Sequence, residues 1–169
     1  METLDDDWEL TPETAHPNAA RLLADPFYWD VRDENSPFEN DCGADTLAFY
    51  RAAIESNADL DGSEFLAELF EEWDVDRDFA EGISEEELGH RLEREHFHIL
   101  TYDDVVIAAA FAQIVLLGSA SADMAAAAIR SLRRQSLPLV LEFRGWSDPS
   151  ERRSRCEEMM DVLRIDQES

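Results

Sequence analysis

Residues 105–118 read VVIAAAFAQIVLLG, and what this run becomes decides what the chain becomes. A bilayer span needs about 20 apolar residues. This run is shorter, is interrupted by Gln113 and follows directly on Asp103 and Asp104. It reads as a buried helix. Ala108, Ala109, Ala110 and Ala112 are small enough for neighbouring helices to approach closely, while Val106, Ile107, Phe111, Ile114 and Val115 supply bulk on every side. Thr101 and the acidic pair stand where a helix N-terminus takes an oxygen cap and negative charge, and Gly118 stands where a helix ends.

Helical signals continue outward from this core. Upstream, Ser84 followed three residues on by Glu87 has capping-box spacing and starts a helix through EEELGHRLEREH, residues 85–96. Ser63 can cap a helix whose apolar stripe is Phe65, Leu66, Leu69, Phe70 and Trp73. Leu47, Tyr50 and Ile54 recur at spacings of three and four on another. Near the N-terminus, Thr11-Pro12 or His16-Pro17 can open a helix with proline in its first turn. Downstream, a helix over 122–134 closes with Arg130, Arg133 and Arg134, and a last one runs over about 149–165. In LPLVLEFRGW, residues 137–146, Leu139, Leu141 and Phe143 alternate as in a strand. The expectation is a mainly α fold: a single compact multi-helix domain over 1–169, with 1–10 and 166–169 disordered, a long ordered loop near the N-terminus and at most a minor strand near 139–143. Glycine and proline are sparse, six of each, and mark no linker.

Forty acidic residues against fourteen basic ones give a formal charge of −26, and every basic residue is arginine. Such a field repels nucleic acid and favours a basic protein partner, because long-range charge sets encounter and non-specific binding. It also suits a merely solvated surface of a salt-adapted protein. The two cysteines, Cys42 and Cys156, form no C-x-x-C pair and signal neither a disulfide framework nor a zinc knuckle. METLDDDWEL is acidic where an export signal is basic and then apolar. A cytoplasmic protein without membrane attachment is expected.

The stretch DPFYWDVRDENSPFENDCGADTL, residues 25–47, mixes aromatics with carboxylates and has two readings. In the first, it is a loop clamped to the core by Phe27, Trp29 and Phe38, since aromatics of this size bury on the order of 150–250 Å² each. Asn40 or Asp41 then makes a turn, Gly43 takes a positive φ, and Asp41 or Asp45 caps a helix beginning near Ala44. In the second, Asp30, Asp33, Glu34, Asn40, Asp41 and Asp45 converge on a cation or on a basic side chain of a partner.

The sharpest metal signal is NADLDGSEFLAE, residues 57–68. It places oxygens of Asn57, Asp59 and Asp61 at positions 1, 3 and 5, Gly62 at 6 and Glu68 at 12 of a calcium-loop pattern. A helix-capping turn accounts for the same residues. DVDRDFAEGISEEE, residues 74–87, repeats the aspartates but has Phe79 where a sharp turn needs glycine. His90, His96 and His98 cluster without the H-E-x-x-H spacing of a zinc site. No nucleophile elbow, P-loop or dinucleotide fingerprint occurs, so no enzyme and no cofactor is indicated.

Four blocks in order, HPNAARLLADPFYWD, SPFENDCGADTLAFY, LTYDDVVIAAAFAQ and AAIRSLRRQSLP, resemble the bacterial YfeS-like proteins. Pro37 to Asp45 and Asp104 to Gln113 carry the more specific part, with Glu39 where the family pattern has glycine. The resemblance implies no reaction, cofactor or ligand set. The function expected is protein interaction or regulation, including neutralisation of a basic partner such as a toxin. The alternatives are a calcium-binding helix-loop-helix module and, further off, a metal-dependent hydrolase.

Overall fold

A computed structural model describes residues 8–168. These form helices α1 (Pro17–Leu22), α2 (Asp41–Ser56), α3 (Gly62–Glu72), α4 (Arg77–Gly82), α5 (Glu85–Leu117), α6 (Ala122–Gln135), α7 (Pro138–Arg144) and α8 (Pro149–Glu168), with a 3₁₀ turn at Pro26–Trp29. The fold is mainly α, and among the described residues there is no strand.

The run at 105–118 is the axis of the fold. Every residue from Thr101 to Val115 is buried. Helices α2 and α6 flank α5, with α1, α3 and α4 adding smaller contacts, and α8 packs on α6. An 18-residue window of α5 reaches a mean hydropathy of 1.7, enough for a membrane span, yet 89% of that window is covered by the protein's own helices. Gly118 ends α5 at φ +91°, donating its N–H to the Ile114 carbonyl at 2.9 Å.

The predicted break before the core helix is absent. Ser84 caps as expected, its Oγ accepting from the Glu87 N–H at 3.2 Å, but the helix it starts continues through the core to Leu117. A bend at Glu95 (φ −124°, ψ 22°) is what remains of the expected boundary. Asp103 and Asp104 are therefore mid-helix residues and cap nothing. The strand near 139–143 is also overturned: Pro138 supplies the first turn of α7, which buries Val140 and Leu141 and leaves Leu139 and Phe143 exposed. An isolated strand finds no backbone partner here, whereas a helix satisfies its own.

At the chain ends, Trp8 packs on the core under the Arg51 guanidinium, 4.8 Å from its ring centre, and α8 extends to Glu168. Asp166 is buried and accepts the Ala120 N–H at 2.9 Å. Of the ends expected to be disordered, 1–10 and 166–169, positions 1–7 and 169 lie outside the described residues. His16, whose Nδ1 accepts the Asn18 N–H at 3.1 Å, opens α1 in preference to Thr11.

Candidate functional site

The aromatic loop is clamped much as its residues suggest. Asp25 caps the 3₁₀ turn, accepting from the Phe27 N–H at 3.2 Å, and Phe27, Tyr28 and Phe38 are buried. Tyr28 rests on Phe111 of the core helix, ring centres 5.5 Å apart. Trp29 is only half-buried and is held by its indole N–H, which donates to the Leu23 carbonyl at 2.8 Å. Arg155 of α8 closes over Phe27 at 4.3 Å and pairs with Asp25 at 2.7 Å.

Short side chains then fold the loop onto itself. Asp30 accepts the Arg32 N–H at 3.0 Å and Asp33 the Asn35 N–H at 2.9 Å. Asn40, not Asp41 or Asp45, caps α2 by accepting the Gly43 N–H at 2.7 Å, so the helix starts three residues before Ala44. Gly43 is helical and does not take the expected positive φ. Its value is proximity: a Cβ there would collide with the Pro37 carbonyl.

This geometry leaves a cleft of about 270 Å³ between the loop, the end of α7 and the first turns of α8. Its mouth carries Glu34, Glu39 and Asn40. Its depth carries Asp104, Arg144, Trp146 and Arg152, backed by Ile107 and Met159. Of the six candidate binding residues, the cleft gathers Glu34 and Asn40. Asp41 lies within electrostatic reach of Glu39. Asp30 and Asp33 are engaged in loop turns, and Asp45 is exposed on α2.

The misplaced acidic pair anchors the cleft from behind. Asp103, fully buried, accepts from Arg134 Nε at 2.9 Å, Arg134 Nη2 at 2.6 Å and Gln135 Nε2 at 2.7 Å. Asp104 takes two bonds from Arg144, at 3.0 and 2.8 Å, and Arg144 also donates to Gln135 Oε1 at 2.8 Å. Burial pushes Asp103 up from its ordinary value, and the Arg134 and Gln135 hydrogen bonds pull against it. Glu39 is raised too, first by burial and then by Glu34, Asp41 and Asp104. Glu34 accepts the Ser147 hydroxyl at 2.6 Å.

Sequence reasoning missed Glu39, Asp104, Arg144, Trp146 and Arg152. The available signal was a charged pair adjoining an apolar helix in a chain with arginines to match it. Buried carboxylates are seldom left without such partners.

The calcium candidates Asn57, Asp59, Asp61 and Glu68 are all exposed. Asn57 accepts the Asp59 N–H at 3.2 Å, and Asp61, in place of Ser63, caps α3 by accepting the Ser63 N–H at 2.8 Å. Among the described residues no group of three or more His, Cys, Asp or Glu side chains is placed to hold a metal ion. His98 accepts the Asp76 N–H at 2.9 Å, His96 lies against Phe143, and His90 is exposed.

Comparison with known proteins bears out the YfeS-like resemblance. The chain is 30% identical over 145 residues to the Escherichia coli (strain K12) protein described as "Uncharacterized protein YfeS". The match takes in 85% of this chain and 59% of that protein, so the chain spans about three fifths of its relative's length. No family model matches the chain. No solved structure matches it.

Proposed function

We propose that this is a cytoplasmic binding protein without catalytic activity, whose acidic loop face, centred on Glu34, Glu39 and Asp41, docks a basic protein partner and so regulates or neutralises it. One observation carries the reading: Glu34 and Glu39 stand exposed at the mouth of the cleft with Asp41 exposed beside them, where partial burial and the neighbouring carboxylates resist ionisation of Glu39 more than Arg152 favours it. Like charges held together at a surface are relieved by an incoming cation. The formal charge of −26 supports the reading by steering basic proteins toward this chain. Of the buried acids, Asp103 and Asp104 are committed to arginines and Asp166 to the Ala120 N–H, whereas Glu34, Glu39 and Asp41 are exposed, which supports the loop face as the contact surface.

A pull-down read by mass spectrometry tests it. The wild-type chain should recover a basic protein that rising salt releases, and the combination Glu34→Gln, Glu39→Gln, Asp41→Asn should lose that protein while melting at an equal or higher temperature. Capture that survives the triple substitution, or that ignores salt, overturns the proposal.

A further inference from the structure

The depth of the cleft holds a charge without an ion-pair partner. Arg152 is only 6% exposed, and none of the ion pairs among the described residues includes it. Its Nη1 donates to the Asn35 carbonyl at 3.2 Å, and its Nε finds no acceptor among the described residues. Its guanidinium lies over the Trp146 ring, 4.4 Å from the centre, and the Trp146 indole N–H is likewise without an acceptor there. Neighbouring Arg144 is in a different state, since Asp104 and Gln135 already satisfy it. A buried cation and two unmet donors are expensive to keep, and both residues line the cleft. Burial, with the nearby Arg144, lowers the proton affinity of Arg152 against the opposing pull of Cys156, Asp104 and Glu34, and an adjoining anion would raise it further.

The mouth has the opposite demand. Glu34 and Glu39 favour a cation, and the overall charge of −26 opposes entry of a dianion such as a phosphate ester. A group that satisfies both ends carries one carboxylate and one cation in the same molecule. At about 270 Å³ the cleft lies below the ~300–1,000 Å³ of drug-sized sites, so it admits one side-chain-sized group.

We propose that this cleft binds a cationic carboxylate, with the carboxylate on Arg152 and Trp146 and a guanidinium or ammonium group, several bonds away, at Glu34 and Glu39. The proposal rests on the binding role above and narrows its chemistry. A free basic amino acid and the C-terminal arginine or lysine of a basic partner share that chemistry.

Calorimetric titration with N-acetyl-L-arginine, followed in parallel by tryptophan fluorescence, tests it. Saturable binding is expected. Agmatine, which lacks the carboxylate, and N-acetyl-L-citrulline, which lacks the cation, should each bind at least ~10-fold more weakly. Trp146→Phe keeps the ring and removes the indole donor. It should weaken N-acetyl-L-arginine by ~10-fold and remove the fluorescence change without altering the far-UV spectrum. Glu39→Gln should weaken N-acetyl-L-arginine and spare N-acetyl-L-citrulline. A peptide ending in a free arginine that binds more tightly than N-acetyl-L-arginine, and loses this on C-terminal amidation, supports the chain end as the source. The reverse order supports the free molecule. No saturable binding, agmatine binding as tightly as N-acetyl-L-arginine, or Trp146→Phe without effect overturns the cleft assignment. A salt-sensitive pull-down that persists in any of those cases shows that only this narrower claim has failed.

Discussion

Asp103→Asn removes one charge from the interior and nearly nothing from its shape. The carboxylate accepts three bonds, from Arg134 Nε and Nη2 and from Gln135 Nε2, within 2.6–2.9 Å. An asparagine amide offers one oxygen and turns its NH₂ toward donors. Arg134 would keep the Ala80 carbonyl at 2.6 Å and its place over the Tyr102 ring, but no compensating charge from Asp103. Stranding one partner of a buried pair costs about 3–5 kcal/mol. Because the Arg134 side chain is 15% exposed, water shares some of the burden, and the expected loss lies near the lower end, about 3 kcal/mol. For a chain of this size that lowers the melting temperature by about 6–12 °C. Urea unfolding followed by circular dichroism at 222 nm reads the loss directly. If Asp103 were a helix-start oxygen, asparagine would replace it almost without penalty, because the two cap equally well. A loss below about 1 kcal/mol therefore refutes the buried-pair account. The double replacement Asp103→Leu, Arg134→Met should recover most of the stability that Asp103→Asn loses, since both charges then leave together.

Ile114→Ala, at a fully buried position of α5, should cost about 2–5 kcal/mol in the same assay; a value under about 1 would mean that the helix is not the core. Trp29→Ala should cost about 2–3 kcal/mol, less than a fully buried tryptophan, because the ring is half-exposed and one hydrogen bond is lost with it. Tyr28→Phe should instead stabilise by about 1 kcal/mol, as its buried hydroxyl has no hydrogen-bond partner among the described residues, and a destabilisation would show that the hydroxyl is satisfied. The pH dependence has two opposite parts. Glu39 holds its proton more tightly folded than unfolded, so its contribution falls as pH rises through its titration, and Glu39→Gln should stabilise at neutral pH but not in acid. Asp25 is raised by burial, but the Phe27 N–H and Arg155 outweigh this and leave it below its ordinary value, so its contribution is present at neutral pH and lost in acid. Arg155→Met should flatten that acid limb, and an unchanged profile would count against the pairing.

How far the sequence could be read depended on whether the cause was local. The all-round apolar pattern of 105–115 identifies a core helix without knowledge of its neighbours, and the Ser84 cap with the spacing to Glu87 marks a true start. The aromatic clamp was legible in Phe27 and Phe38, which have too much apolar surface to remain in water, whereas Trp29, read with them, is only half-buried and Tyr28 takes the core position instead. Where two local readings compete, tertiary contacts decide. Asp103 and Asp104 resemble a helix start until Arg134 and Arg144, 31 and 40 residues further along, are seen to neutralise them. Leu139, Leu141 and Phe143 alternate like a strand until Val140 finds a small cluster to fill. The cleft was invisible for the same reason: its mouth and its depth come from segments more than a hundred residues apart, and only Glu34 and Asn40 could be named in advance.

Leu88, Leu92, Ile99 and Val140 form an apolar cluster apart from the main core, in which the early turns of α5 and the short α7 meet. A small cluster of this kind sets its own opening free energy, lower than that of global unfolding, so α7 can detach while the axis of α5 stays protected. Arg144, the last residue of α7, forms one wall of the cleft. Each detachment therefore dismantles the cleft, and anything that bridges Arg144 to α8 must hold α7 down. Occupancy of the cleft is thus convertible into slower hydrogen exchange at the amides of α7, a readout that needs neither a known ligand nor a known reaction.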